Sequence, residues 1–295
     1  MSKKAFREAG QGYLFILPAA FTIFVFILIP IFYALFLSFN DVQLLGGTSF
    51  DFIGFENYQN ILDDTRSHIA FLNTAEYVAI VVPVQTVLAL LLAAVLNSGL
   101  KGQSFFRVIF FLPTLTSSAV LTLIFMWMYN KYGLINYFLT SVGLPAYNWI
   151  GNPDIALFSI MVMNIWSTAP FFMVIYLAAL QDIPDSLYEA AELDGANAIK
   201  KFWHITVPML RPITSFVLIM GIIGTFQLFD QSYIFSGGSG GPNNSTLTVV
   251  LLIYQYAFKS LGTMGFAAAI AFVLAIVILS ATILQRKFAK EESVF

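Results

Sequence analysis

After a polar stretch containing Lys3, Lys4 and Arg7, the chain carries no charged residue from Gly12 to Asn40, and long apolar runs then recur to the C-terminal end. A helix needs about 20 apolar residues to cross ~30 Å of hydrocarbon, and inside lipid only closed backbone hydrogen bonding is tolerated. The pattern predicts an all-α membrane protein with six transmembrane helices, near 13–39, 77–97, 108–130, 155–181, 213–235 and 262–285. Asp230 is the single charged residue inside them. Pro30, Pro83, Pro113 and Pro170 lie in or at the ends of these runs and read as kinks, because neighbouring helices can satisfy the freed carbonyls. The first run is too long for the core of a secretory signal, which has about 7 to 15 apolar residues.

Charge adds an orientation. Of 14 Lys and Arg residues, 11 fall on one side: Lys3, Lys4, Arg7, Lys101, Arg107, Lys200, Lys201, Arg211, Arg286, Lys287 and Lys290. Arg66, Lys131 and Lys259 fall on the other. The positive-inside rule then puts both termini in the cytoplasm. The outer loops are 41–76, 131–154 and 236–261. The last contains Gly237, Gly238, Gly240, Gly241 and Pro242, which reads as a turn; a phosphate cradle would want a strand before it and a helix after it.

Cytoplasmic polarity is concentrated in 182–212, between the fourth and fifth spans. Asp185 or Ser186 can cap a helix running through Leu193, which Gly195 ends in a left-handed conformation. A second helix, 196–205, carries Ile199, Phe202 and Trp203 beside Lys200 and Lys201, and Pro208 and Pro212 stop it. Ala190 and Ala191 leave a flat patch that another backbone could approach. The residues alone leave two readings open, a docking element and a loop lying on lipid headgroups.

The residues Glu189-Ala190-Ala191, then Gly195, Ile205 and Val207-Pro208, in that spacing, resemble the EAA loop of ABC importer permeases. Val207 stands where that loop usually has Leu. Phe52 to Tyr58 is similar to an element of the maltose and glycerol-3-phosphate branch, and Asn73-Thr74, Leu112-Pro113 and Gly240-Gly241-Pro242 also fit it. The opening Tyr13 to Pro18 resembles the larger of the two permease types in that branch. The resemblance implies a type I ABC importer permease fold: 1–69 as N-terminus, first span and first periplasmic loop, 70–286 as the transmembrane core with the coupling loop at 182–212, and 287–295 as a cytoplasmic tail. It implies a multi-pass protein of the bacterial inner membrane. Its partners would be a second, non-identical permease, two copies of an ATPase, and a periplasmic or lipid-anchored solute-binding protein. Glu189, Ala190, Ala191, Asp194, Gly195, Ile205 and Pro208 would couple to the ATPase.

Composition narrows the chemistry. The chain is 59% hydrophobic and 10% charged, with 31 Phe, 13 Tyr and 4 Trp, which suits a lipid-facing surface and headgroup belts. There is no cysteine, so no disulfide framework, thiolate nucleophile or thiolate metal site exists. No Gly-Lys pair occurs, hence no P-loop; no cofactor is expected on this chain, and ATP-Mg is expected on the partner ATPase. No metal site and no nucleic-acid partner are expected. An intramembrane serine hydrolase lacks its base, because His68 and His204 are the only histidines and both fall in predicted loops. A secondary carrier would be expected to show repeats with broken helices. An importer of a different small solute is the remaining alternative.

Polar groups inside a membrane are expensive, and by default they suggest function. Asn164, Trp166 and Thr168 lie midway along the fourth span, and Gln227 and Asp230 late in the fifth. Amides, carboxylates and aromatic faces suit a sugar-like substrate. The plainer alternatives are that Asp230 caps or pairs with a helix and that Asn164 bonds between helices. Distance from the coupling loop, read through the resemblance, adds Gly221 and Thr225 to the substrate pathway. Thr225 and Leu228 stand where the maltose permease has asparagines.

Overall fold

The computed structural model describes residues 3–43, 49–98, 101–260 and 262–291. Helix α1 (Lys3–Ile23) runs through a π-helical turn, Phe24–Leu28, into α2 (Ile29–Ser38). A two-stranded antiparallel ribbon follows, β1 (Asn40–Gln43) and β2 (Ser49–Phe52), then α3 (Glu56–Asp63) and the long α4 (Thr65–Asn97). Next come α5 (Gln103–Leu115), α6 (Ser118–Met128), α7 (Leu134–Ser141), α8 (Pro153–Gln181) and α9 (Asp185–Leu193). The chain continues with α10 (Ala198–Lys201), α11 (Val207–Met209), α12 (Arg211–Phe226), α13 (Asp230–Phe235), α14 (Val249–Tyr254) and α15 (Met264–Glu291).

Among the described residues five helical stretches are long and apolar enough to cross a membrane: Gly12–Ser38, Thr65–Asn97, Pro153–Gln181, Arg211–Phe235 and Met264–Lys287. The third predicted span is not one continuous helix. It is the pair α5 and α6, which meet at 99°. Pro113 removes a backbone donor from the last turn of α5, and Thr116 (φ −83, ψ 137) and Ser117 (ψ 135) are extended, so the helix breaks there. The fifth predicted span is also interrupted, between Phe226 and Asp230. By contrast α4 and α8 continue through Pro83 and Pro170.

Three further expectations are corrected. Helix α4 begins at Thr65, well before position 77, so His68 is a helical residue and not a loop residue. The segment 236–261 is turns only in its glycine-rich first half, and its second half forms α14 and a π-helical turn, Gln255–Lys259. Residues 131–154, read as a loop, contain α7.

The chain divides into two compact units. The first comprises Met1–Asp64 and Ile253–Val273. In it Asn57 Nδ2 donates to the carbonyls of Ser38 and Asn40, at 3.0 and 3.1 Å, tying α3 to the end of α2. Phe39, Phe55 and Tyr58 pack ring against ring around that junction. Gly265 allows α15 to begin against it, since a Cβ at that position would lie 2.1 Å from the Asn40 carbonyl oxygen.

The second unit comprises Thr65–Leu252 and Leu274–Phe295. Here α4 lies along α8, and α12 lies against α4. Ala89, Ala93 and Ala169 are fully buried where α4 meets α8, and small residues let helix backbones approach closely in lipid. Two buried apolar clusters form. One contains Tyr77, Val81, Leu121, Phe125 and Ile160; the other contains Ala89, Ala169, Met173, Tyr176 and Val217. At its other end α4 holds the polar turn: Asn73 Nδ2 donates to the carbonyls of Asn244 (2.7 Å) and Leu247 (3.0 Å), and Thr74 Oγ1 accepts from the Val249 amide (3.0 Å).

Candidate functional site

Between the two apolar clusters the second unit contains a polar layer. Gln85 falls between Val81 and Ala89 on α4, Asn164 and Thr168 between Met163 and Ala169 on α8, and Gly221 and Thr225 between Val217 and Leu228. These residues, with Phe172, Met220 and Gly224, line a cavity of about 140 Å³. Thr168 Oγ1 lies 2.7 Å from Gln85 Oε1 and 2.8 Å from the Asn164 carbonyl oxygen, as donor to either. Thr225 Oγ1 donates back to the Gly221 carbonyl at 2.7 Å, a bond within its own helix. Such a layer costs free energy in an apolar core unless its members are partnered.

Of the predicted pathway residues, the fold therefore brings Asn164, Thr168, Gly221 and Thr225 into one cavity. Trp166, on the same helix, faces a separate and mainly apolar cavity with Ile109, Leu112, Phe125 and Met128, its ring 5.4 Å from that of Phe125. Gln227 ends α12 and Asp230 opens α13; both are exposed, and neither lines the polar cavity. A carboxylate in the first turn of α13 sits favourably against the helix dipole, but the N-cap position is Phe229 and no side-chain cap bond forms there. Hydropathy does not single out Gln85, because an amide in the middle of a long apolar run has no partner within that run. A polar residue at mid-span, like Asn164, was the available signal.

Loop 182–212 has a defined shape. Helix α9 starts at Asp185 after Pro184, with no side-chain cap from Asp185 or Ser186. It ends as expected: Gly195 has φ +74, its amide donates to the Glu192 carbonyl (3.0 Å), and the Ala196 amide donates to the Ala191 carbonyl (2.9 Å). That pair of bonds is a Schellman turn, which needs a residue tolerant of positive φ. Asp194 occupies the C-cap position. The second limb differs from the expected single helix over 196–205. Asn197 caps α10, accepting from the Lys200 amide at 2.9 Å, and a π-helical turn, Phe202–Thr206, follows. The chain then continues through Val207 and Pro208 and turns at Leu210, so Pro208 does not stop it.

Two contacts join the limbs. Lys201 forms an ion pair with Glu192, and the hydroxyls of Tyr188 and Thr206 lie 2.9 Å apart. Glu189 and Ala190 are exposed and Ala191 is half-buried, as is Ile205. Around them Leu193 is 91% exposed, Ile199 70% and Trp203 61%. An apolar surface of this kind on an otherwise polar loop suits docking to another protein.

Over 98% of its length this chain shares the fold of a bacterial ABC transporter involved in the import of the acidic polysaccharide alginate, with a TM-score of 0.85 at 20% identity, over 98% of that chain. The chain belongs to the family of binding-protein-dependent transport system inner membrane components, whose sequence profile matches residues 85–293. It is 35% identical to the trehalose/maltose transport system permease protein MalF of Thermococcus litoralis, over 98% of this chain and 97% of that one. It is 36% identical to the lactose transport system permease protein LacF of Rhizobium radiobacter, over 95% and 94%. With the arabinooligosaccharides transport system permease protein AraP of Bacillus subtilis it shares 37% identity, over 96% and 90%.

Proposed function

We propose that this chain is the permease subunit of a binding-protein-dependent ABC importer, that it forms half of the translocation pathway for a sugar or sugar-like polyol, and that loop 182–212 receives the ATP-driven motion. On this reading it crosses a bacterial inner membrane six times, the pair α5 and α6 counting as one bent span, with both termini in the cytoplasm. The core extends over 70–286. A second, non-identical permease supplies the other half of the path. Two copies of an ATPase hold ATP-Mg and engage Glu189, Ala190, Ala191, Asp194, Gly195, Ile205 and Pro208. A periplasmic or lipid-anchored protein delivers the solute.

The observation that carries the reading is the polar cavity at Gln85, Asn164, Thr168 and Thr225, enclosed between two apolar clusters of helices that are themselves apolar. Amide and hydroxyl groups there match the hydroxyls of a sugar, and Phe172 supplies a ring face. The names of the three relatives support the same substrate class. The deciding experiment is uptake of labelled sugar into vesicles containing the complete complex, with and without its ATPase. Uptake that needs the ATPase and ATP is expected. Uptake by this chain without any ATPase would reassign it as a secondary carrier.

A further inference from the structure

Gln85 is 1% exposed, and its side chain is held at one end only. Its Oε1 accepts from Thr168 Oγ1 at 2.7 Å, while no hydrogen bond from its Nε2 is present among the described residues. The Nε2 end is directed at Gly221 across the cavity wall: a Cβ built on Gly221 would lie 2.8 Å from Nε2 and 3.5 Å from Val82 Cγ1. The amide therefore occupies the space that the missing side chain leaves. Three helices contribute to this arrangement, with Gln85 on α4, Thr168 on α8 and Gly221 on α12.

We infer that Gln85 is a specificity-determining residue of the polar cavity, its amide N–H groups donating to a solute hydroxyl, with Thr168 orienting the amide and Gly221 leaving it room. This rests on the proposed function. An amide that only stapled α4 to α8 would not need glycine opposite its free end. A free N–H pair in a cavity of about 140 Å³, beside the Asn164 and Thr225 side chains, is placed to read a polyol. A site built to hydrogen-bond a hydroxyl discriminates against an analogue that lacks it, because the site's own polar groups are then left unpaired.

The test uses the complete complex, with its partner permease, ATPase and binding protein, and labelled trehalose, maltose and lactose. Whichever of these is carried is then compared with its monodeoxy analogues. Gln85→Met keeps the volume and removes the hydrogen bonds. It is expected to lower uptake of the parent sugar about tenfold, the value of one lost hydrogen bond at the upper end of the usual range. It should leave uptake of one particular monodeoxy analogue unchanged, so that the unaltered complex distinguishes that analogue from the sugar and the variant does not. Gly221→Ala, which displaces the amide, is expected to erase the same discrimination; it serves as the test if Gln85→Met fails to assemble. Equal loss across the sugar and all analogues would assign Gln85 to helix packing and overturn the inference, as would unchanged uptake. No sugar uptake by the unaltered complex is a separate result, which overturns the proposed function and this inference with it.

Discussion

The hydroxyls of Tyr188 and Thr206 lie 2.9 Å apart, and they join the two limbs of loop 182–212 at a point where the Tyr188 ring also packs against the buried cluster that contains Ala89, Tyr176 and Leu210. That cluster holds residues of α4 and α8 together with Ile183 and Leu210 of the loop itself. Tyr188→Phe removes one partly buried hydrogen bond, worth about 1 kcal/mol, and keeps the ring. The expected outcome is a complex that assembles with parent-like helicity but hydrolyses more ATP per sugar carried. An unchanged ratio of hydrolysis to uptake would show that the contact plays no part in coupling.

At Gly195 space and conformation separate cleanly. A Cβ there would meet nothing within 4 Å, so no clash is involved, but φ is +74. Left-handed backbone costs a residue with a Cβ roughly 1–2 kcal/mol, and a β-branched one suffers most. Gly195→Val should reach the membrane and retain the partner permease while losing ATPase subunits on purification or failing to transport. Gly195→Asn, which tolerates this region, should lie close to the parent. Full uptake by the valine variant is the result that sinks the role given to this loop.

Gly265 presents the opposite case. Glycine to alanine inside a helix ordinarily gains about 1 kcal/mol. Here the new Cβ would lie 2.1 Å from the Asn40 carbonyl oxygen and 2.9 Å from that of Leu37. Overpacking of this kind costs about 1–3 kcal/mol, so the sign reverses. Gly265→Ala should lower the midpoint of thermal unfolding of the detergent-solubilised protein, whereas a raised midpoint would contradict the packing described for the first unit.

Asn164 provides a direct probe of the polar layer. Asn164→Leu removes hydrogen-bonding groups from the cavity without adding charge, and lipid tolerates the leucine. Sugar uptake should fall several-fold while the amount of assembled complex stays constant. A parallel fall in assembly, measured by co-purification of the partner permease, would assign Asn164 to helix packing.

Orientation can be checked with reporter fusions. Fusions at Asn57 and Gly240 should report outside the inner membrane, and those at Gln103 and Ala198 inside, as the asymmetry of Lys and Arg requires. An external signal at Ala198 would remove the coupling loop from the reach of any cytoplasmic ATPase.

Much of the architecture was legible in the apolar runs, because burial in lipid leaves a signal about 20 residues long. The ends and breaks of helices were not. Thr65 to Glu76 looked like loop because it holds Arg66, His68 and Glu76, yet these residues continue the helix beyond its apolar stretch. The bend at Thr116 and Ser117 and the gap after Phe226 lie inside runs whose hydropathy does not change, so periodicity could not locate them. In loop 182–212 Gly195 was readable, since a left-handed residue leaves a compositional mark. The π-helical turn at Phe202–Thr206 was not, because it depends on contacts made after folding. Asn164 and Thr168 showed themselves as polar residues in an apolar helix; their partner Gln85 became evident only when α4 and α8 were placed side by side.

Helix α4 has 33 residues, and at 1.5 Å per residue it is about 50 Å long, well beyond the ~30 Å that lipid requires. Asn73 and Thr74, near one end, grip the turn from Asn244 to Val249, and Gln85 lies about 18 Å further along the same rod. Helix α4 is continuous between them, so on the proposed function a displacement of that turn by a delivering protein would be carried along the rod to the cavity. Arrival of cargo at the surface and the grip on it in the cavity would then be two readings of one mechanical coordinate.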